Sequence, residues 1–224
     1  MCSPAAEAIR AAQGCLNEVF SRIGQAGELR GSLRWQERAD GELGANHALA
    51  AGAVLGLPAD DLAEELQKRM KLPPLFSAVT AVDGFLNFRL SDAWYDDALD
   101  RFCTQAPGQS PDFSPARFPA LDGDLALRQD AASPLYRLRW AYERSRVLLA
   151  DESAPDGERC WGEAEKSLLR RIALLDSERG LFALADAFSR FYAVRPIRSA
   201  PDKGFRLQLC AAFCRGVEGI VKSE

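Results

Sequence analysis

The stretch VDGFLNFRLSDAW, residues 82–94, alternates two sets of side chains. At the two-residue repeat of a strand, Phe85, Asn87 and Arg89 share one face, and Leu86, Phe88 and Leu90 share the other. The second set is apolar and belongs in a core. The first sets an aromatic ring beside an amide and a cation, types that can stack on a flat ligand, hydrogen-bond its edge and hold an anion. Phe85 reads either as one more core residue or as a displayed platform.

Other chemistry is sparse. The sequence contains no GxxxxGK phosphate loop, no GxGxxG turn and no nucleophile elbow. His47 is the only histidine and falls in an alanine-rich segment, where it reads as a capping or packing residue. Asp60/Asp61 and Asp96/Asp97 fall at helix starts or on polar faces and read as capping or solvated acids. The six cysteines, at 2, 15, 103, 160, 210 and 214, form no CxxC, and with His47 as the only histidine they supply too few ligands at zinc spacing. No metal, no cofactor and no catalytic residue are expected.

Two kinds of scaffold must position these residues. Helical apolar spacing recurs at Ile9, Leu16, Val19, Phe20 and Ile23. ELRGSLRWQ alternates as a strand, ANHALAAGAVLGL reads as a helix ending near Gly56, and DDLAEELQKRM as the next helix, with Leu62, Leu66 and Met70 in one stripe. FSAVTAV and FLNFRL read as strands joined by a turn at Asp83-Gly84, and Ser91 or Asp92 caps a helix through Trp94, Leu99 and Phe102. Residues 1–105 thus form a small α+β domain. Residues 106–130 hold Pro107, Pro111, Pro115 and Pro119 and read as a partly extended linker. Residues 131–224 read as an all-α helical bundle of four helices, near Leu135–Leu149, from Trp161, from Gly180 and from Gly204.

The composition, 47% hydrophobic and 27% charged over 224 residues, is that of a globular chain. No apolar run is long enough for a membrane span and no export signal opens the chain, so a cytoplasmic protein is expected. Net charge is −4, unevenly spread: residues 1–105 hold ten basic against fifteen acidic residues, and residues 130–224 hold sixteen against fourteen. That excludes a generic polybasic nucleic-acid binder and gives no reason to expect DNA as a partner.

GELGANHALAAGAVLGL, followed further on by VDGFLNFRLS, resembles the N-terminal additional domain of arginyl-tRNA synthetases. WAYERSR (140–146), LADAFSRFYAVRPIR (184–198) and RLQLCAAFCRGVEGI (206–220) resemble the same family's DALR anticodon-binding domain. The family's catalytic domain is missing between them. His47 alone cannot supply its His-Ile-Gly-His signature, and KRMK at 68–71 is not its Lys-Met-Ser-Lys-Ser loop. The resemblance implies a non-catalytic tRNA-binding paralogue, with a tRNA-Arg-like partner. Phe85, Asn87, Arg89 and Asn46 would meet the unpaired D-loop base at the tRNA elbow. Trp140, Tyr142, Arg144 and Tyr192 would lie near the anticodon loop, with Arg137, Arg195 and Arg198 on phosphates. Where some relatives carry a further Asn three residues before the Phe, this chain has Val82. The residues leave competing readings open. Phe188, Phe191 and Tyr192 share helical spacing that also suits a core, and Trp140 and Tyr142 face different sides of one helix. The alternative to tRNA binding is a protein-interaction module that keeps the fold, has lost tRNA binding and docks on a true aminoacyl-tRNA synthetase; one part of a split enzyme ranks behind both.

Overall fold

The computed structural model describes residues 3–22, 31–38, 40–106, 108–119, 121, 128–150, 158–194 and 196–221. The chain divides into two compact units, Met1–Asp96 and Asp97–Glu224. Among the described residues the first holds a four-stranded antiparallel sheet with helices and the second is helical, as the sequence pattern requires.

In the first unit, α1 (Pro4–Arg22) buries Ala8, Ala12, Leu16, Val19 and Phe20. Strands β1 (Leu33–Arg38), β2 (Gly41–Ala45), β3 (Phe76–Val82) and β4 (Phe85–Leu90) lie in the order β1-β2-β4-β3, every neighbour antiparallel. Leu43, Ala45, Leu86, Phe88 and Leu90 are buried on the inner face, where the Phe76 and Phe88 rings lie 5.1 Å apart. Helix α2 (His47–Leu55) ends on Gly56, whose φ of 67° gives the left-handed turn that glycine adopts without strain. Pro58 then precedes α3 (Ala59–Arg69), which buries Leu62, Ala63 and Leu66. The β3–β4 connection is the expected two-residue turn, with Asp83 at φ 50° and Gly84 at φ 72°. Ser91 caps α4 (Asp92–Thr104), its Oγ accepting the Trp94 N–H at 3.3 Å.

In the second unit, α5 (Pro134–Leu149) opens on Ser133, whose side chain accepts the Tyr136 N–H. Helices α6 (Glu163–Ala173), α7 (Glu178–Val194) and α8 (Lys203–Ile220) complete the bundle. Leu138, Leu168, Leu184, Phe188, Phe191, Leu209 and Phe213 are wholly buried among them. Phe188 and Phe191 are therefore core residues. Pro-rich residues 108–119 lie on this bundle as a strap. The Gly108 N–H donates to Glu218 Oε2 at 2.8 Å, the Phe113 ring packs on Tyr142 at 5.5 Å, and buried Phe118 packs on Phe182 at 6.0 Å.

Candidate nucleic-acid interface

The outward face of the first sheet is built around Gly44, which stands opposite Asn87 on β4 and opposite Arg34 on β1. A Cβ at Gly44 would sit 2.6 Å from Gln36 Oε1, so the missing side chain is the space that Gln36 fills. Gln36 Nε2 donates to Asn87 Oδ1 at 2.9 Å and to the Gly41 carbonyl at 3.3 Å. Asn87 Nδ2 in turn donates to Asp40 Oδ2 at 3.0 Å. The register shift between Trp35 and Arg38, together with the tight turn before Gly41, brings Asp40 over the sheet, where its carbonyl accepts from Thr80 Oγ1 at 3.2 Å. The Gly41 carbonyl and the Asp40 carboxylate can only accept, so they fix the orientation of both amides.

This network changes what the alternating strand presents. Phe85 and Arg89 behave as the outward set should: Phe85 is half-buried and Arg89 exposed. Asn87, on the same face, is only 2% exposed, and both ends of its amide are bonded within the protein. It positions Gln36 and Asp40 rather than offering its own edge to a ligand. Asn46 has a similar local tie. Its Oδ1 accepts the Ser32 N–H at 2.5 Å, and its own N–H donates to the Ser32 carbonyl at 3.1 Å, fastening the segment before β1 to the start of α2. His47 opens α2 as a buried packing residue: a Cβ at Gly31 would meet its Cγ at 2.6 Å, and burial lowers its pKa, favouring the neutral ring.

In the second unit, Arg137, Trp140 and Arg144 recur at three and four on α5, along the side that meets α7. Trp140 packs edge-to-face on Tyr192, ring centroids 5.7 Å apart, and still exposes 40% of its surface. Arg144 Nε donates to the Tyr192 hydroxyl at 2.8 Å. Buried Phe188 backs the Tyr192 ring at 6.1 Å, nearly parallel to it. Arg137 forms an ion pair with Asp186 at 3.4 Å. Of the anticodon-arm set the fold thus gathers Trp140, Arg144, Tyr192 and Arg137 on one surface, an aromatic ledge with cations beside it. Arg198 is exposed in the turn after Pro196, and Arg195 lies outside the described residues.

Tyr142 does not join that surface. It is 4% exposed, donates its hydroxyl to Glu218 Oε1 at 2.7 Å and accepts from Arg146 Nη1 at 3.3 Å. Burial and the Glu218 carboxylate push its pKa up to about 12, so the phenol stays neutral at physiological pH. One helix cannot turn residues two apart to the same side, which is why Trp140 is displayed and Tyr142 is buried. Gln36 and Asp40 were not among the residues the sequence singled out. The only local signal was a glycine inside a strand, which marks a close approach without naming the neighbour.

With this geometry in place, comparison with known proteins bears on the first unit. Residues 13–90 match the arginyl tRNA synthetase N terminal domain. The matched region includes all four strands and hence Phe85, Asn87 and Arg89. Among solved structures, the chain is similar to Thermus thermophilus arginyl-tRNA synthetase at 20% identity with a TM-score of 0.36, over 93% of this chain and 35% of that one. No curated protein matches the chain. The chain thus contains an arginyl-tRNA synthetase-like N-terminal region and spans 35% of the length of the synthetase it aligns with.

Proposed function

We propose that this chain is a non-catalytic tRNA-binding protein that grips the tRNA elbow with the outer sheet face and the anticodon arm with the α5–α7 ledge. The observation that carries the reading is Phe85: an aromatic on the outward face of a strand within the matched region, where an unstacked base can lie flat on it. Arg89 supplies a cation two residues on, and the Asp40–Asn87–Gln36 network holds hydrogen-bonding groups in fixed orientations beside it. In the second unit Trp140 offers a further stacking surface, with Arg144 and Arg137 beside it. A tRNA-Arg-like molecule is the partner this reading implies, and the DALR-like sequence stretches support the assignment of the second unit.

A second reading, docking on a partner protein such as a true synthetase, is favoured by α2. This helix carries no acid or lysine or arginine, yet Val54 is 72% and the following Leu57 52% exposed. Binding of fluorescently labelled tRNA separates the two. Base–aromatic stacking is worth about 1–3 kcal/mol, so Phe85→Ala and Trp140→Ala should each weaken tRNA binding by about tenfold to a hundredfold. Val54→Asp should leave tRNA affinity unchanged. No tRNA binding by the wild-type protein would leave docking on a partner protein as the reading, and tRNA binding indifferent to both Phe85→Ala and Trp140→Ala would sink the stacking account.

A further inference from the structure

The Pro-rich strap encloses space as it crosses the bundle. Between Ser110–Pro115 and the exposed side of α5 lies a cleft of about 750 Å³, within the range of small-molecule sites. Its walls are fixed by contacts far apart in sequence. The hydrogen-bond chain Arg146–Tyr142–Glu218–Gly108 ties the start of the strap to α5 and α8. Phe113 on Tyr142 holds its middle, and buried Phe118 on Phe182 holds its far end. The cleft is therefore built before any ligand arrives, which reduces the ordering cost of binding.

Its lining combines aromatic rings, guanidinium groups and two carboxylates, Asp112, which is tied to the Ser114 N–H and hydroxyl, and Glu143. Phe113 and Tyr136 supply ring surface, Tyr136 being 36% exposed. Arg128, Arg139 and Arg146 supply three guanidinium groups. Arg139 is paired with Glu143 and Arg128 with Asp130, both ion pairs in solvent, of the kind worth only about 0–1 kcal/mol and readily exchanged for a doubly charged anion. Arg146 donates to the Tyr142 hydroxyl. That phenol, with its pKa at about 12, is neutral and does not offset the guanidinium charge. Planar guanidinium groups suit the oxygens of a phosphate, and aromatic rings suit a flat heterocycle.

From this arrangement we infer that the strap–α5 cleft binds a nucleotide, its phosphate on Arg146 and Arg139 and its base against Phe113 and Tyr136. The same chemistry is offered by a free mononucleotide and by one unit of a single-stranded RNA. None of the cleft's lining residues belongs to the outer sheet face or to the Trp140–Tyr192 ledge, so the assignment survives if Phe85 proves not to touch tRNA.

Isothermal titration of the full chain with adenosine 5′-monophosphate, adenosine, inorganic phosphate and a single-stranded adenylate pentamer tests it. The monophosphate or the pentamer should bind with a Kd of about 1 mM or tighter. Adenosine and phosphate alone should each bind more weakly, because each engages half of the cleft. Arg146→Gln and Phe113→Ala should each weaken binding by about tenfold. Arg69→Gln, which removes a distant exposed charge, should not. Arg139 is exposed and takes no part in the hydrogen-bond chain that holds the strap, so Arg139→Gln, which should weaken binding likewise, keeps the test valid should Phe113→Ala or Arg146→Gln disturb the strap. A pentamer at least about tenfold tighter than the monophosphate assigns the site to RNA, and equal affinities assign it to a free nucleotide. Binding of neither ligand at about 10 mM, or binding indifferent to both Arg146→Gln and Phe113→Ala, would overturn the assignment.

Discussion

Cys210 and Cys214 sit one turn apart on α8, both buried, and burial pushes each thiol up to about 12. Cys160 is exposed. Native protein at neutral pH should therefore react with a disulfide reagent at Cys160 while Cys210 and Cys214 stay silent until denaturant is added. Peptide mapping of the labelled chain checks this, and prompt labelling of Cys210 would contradict its burial between α5 and α8. The same contrast governs the candidate site. Phe85 and Arg89 could be placed on the outer face from residue types and a period of two. The burial of Asn87 could not, because it is imposed by Gln36 and Asp40, 51 and 47 residues away in the chain. Trp140 and Tyr142 could be placed on opposite sides of one helix, but which of them was displayed depended on the strap and on Glu218.

Among the elements, the β3–β4 hairpin and the α6–α8 pair carry the sharpest predictions. Gly84 has φ 72°, and a Cβ there would lie 2.9 Å from both Ala59 Cβ and Leu49 Cδ2. Gly84→Ala should thus destabilise the first unit by about 1–3 kcal/mol, read as a lower urea midpoint with an unchanged slope. An unchanged midpoint would mean that the turn relaxes freely. In the second unit Arg206 is fully buried. It pairs with Glu165, donates to the Phe191 carbonyl at 2.8 Å and lies 4.2 Å over the Phe191 ring. Arg206→Ala leaves Glu165 buried without its counter-ion and should lose about 3–5 kcal/mol, whereas changing both residues to apolar ones should lose much less. Equal losses in the single and double variants would show that packing, not charge, is at stake. Helices and strands were legible because their periods are local. The strap was not: prolines indicate where regular structure stops, but the Gly108–Glu218 bond spans 110 residues and depends on how the whole bundle folds.

For the molecule as a whole, a net charge of −4 means that attraction to RNA must come from local arginines rather than from the overall field. The first unit is the more demanding case, since residues 40–67 contain six acids and no lysine or arginine. Stacking at Phe85 and phosphate contacts by arginines have separable signatures: stacking changes affinity at every salt concentration, and phosphate contacts set the slope with salt. The decisive measurement is the affinity of wild-type protein and Phe85→Ala for labelled tRNA, followed from about 50 mM to about 200 mM salt. The tRNA-binding account predicts a linear fall of log affinity with log salt for both proteins, with Phe85→Ala displaced to weaker binding by about tenfold or more on a parallel line. No binding by the wild-type protein at the lowest salt, or superimposable lines for the two proteins, would contradict it.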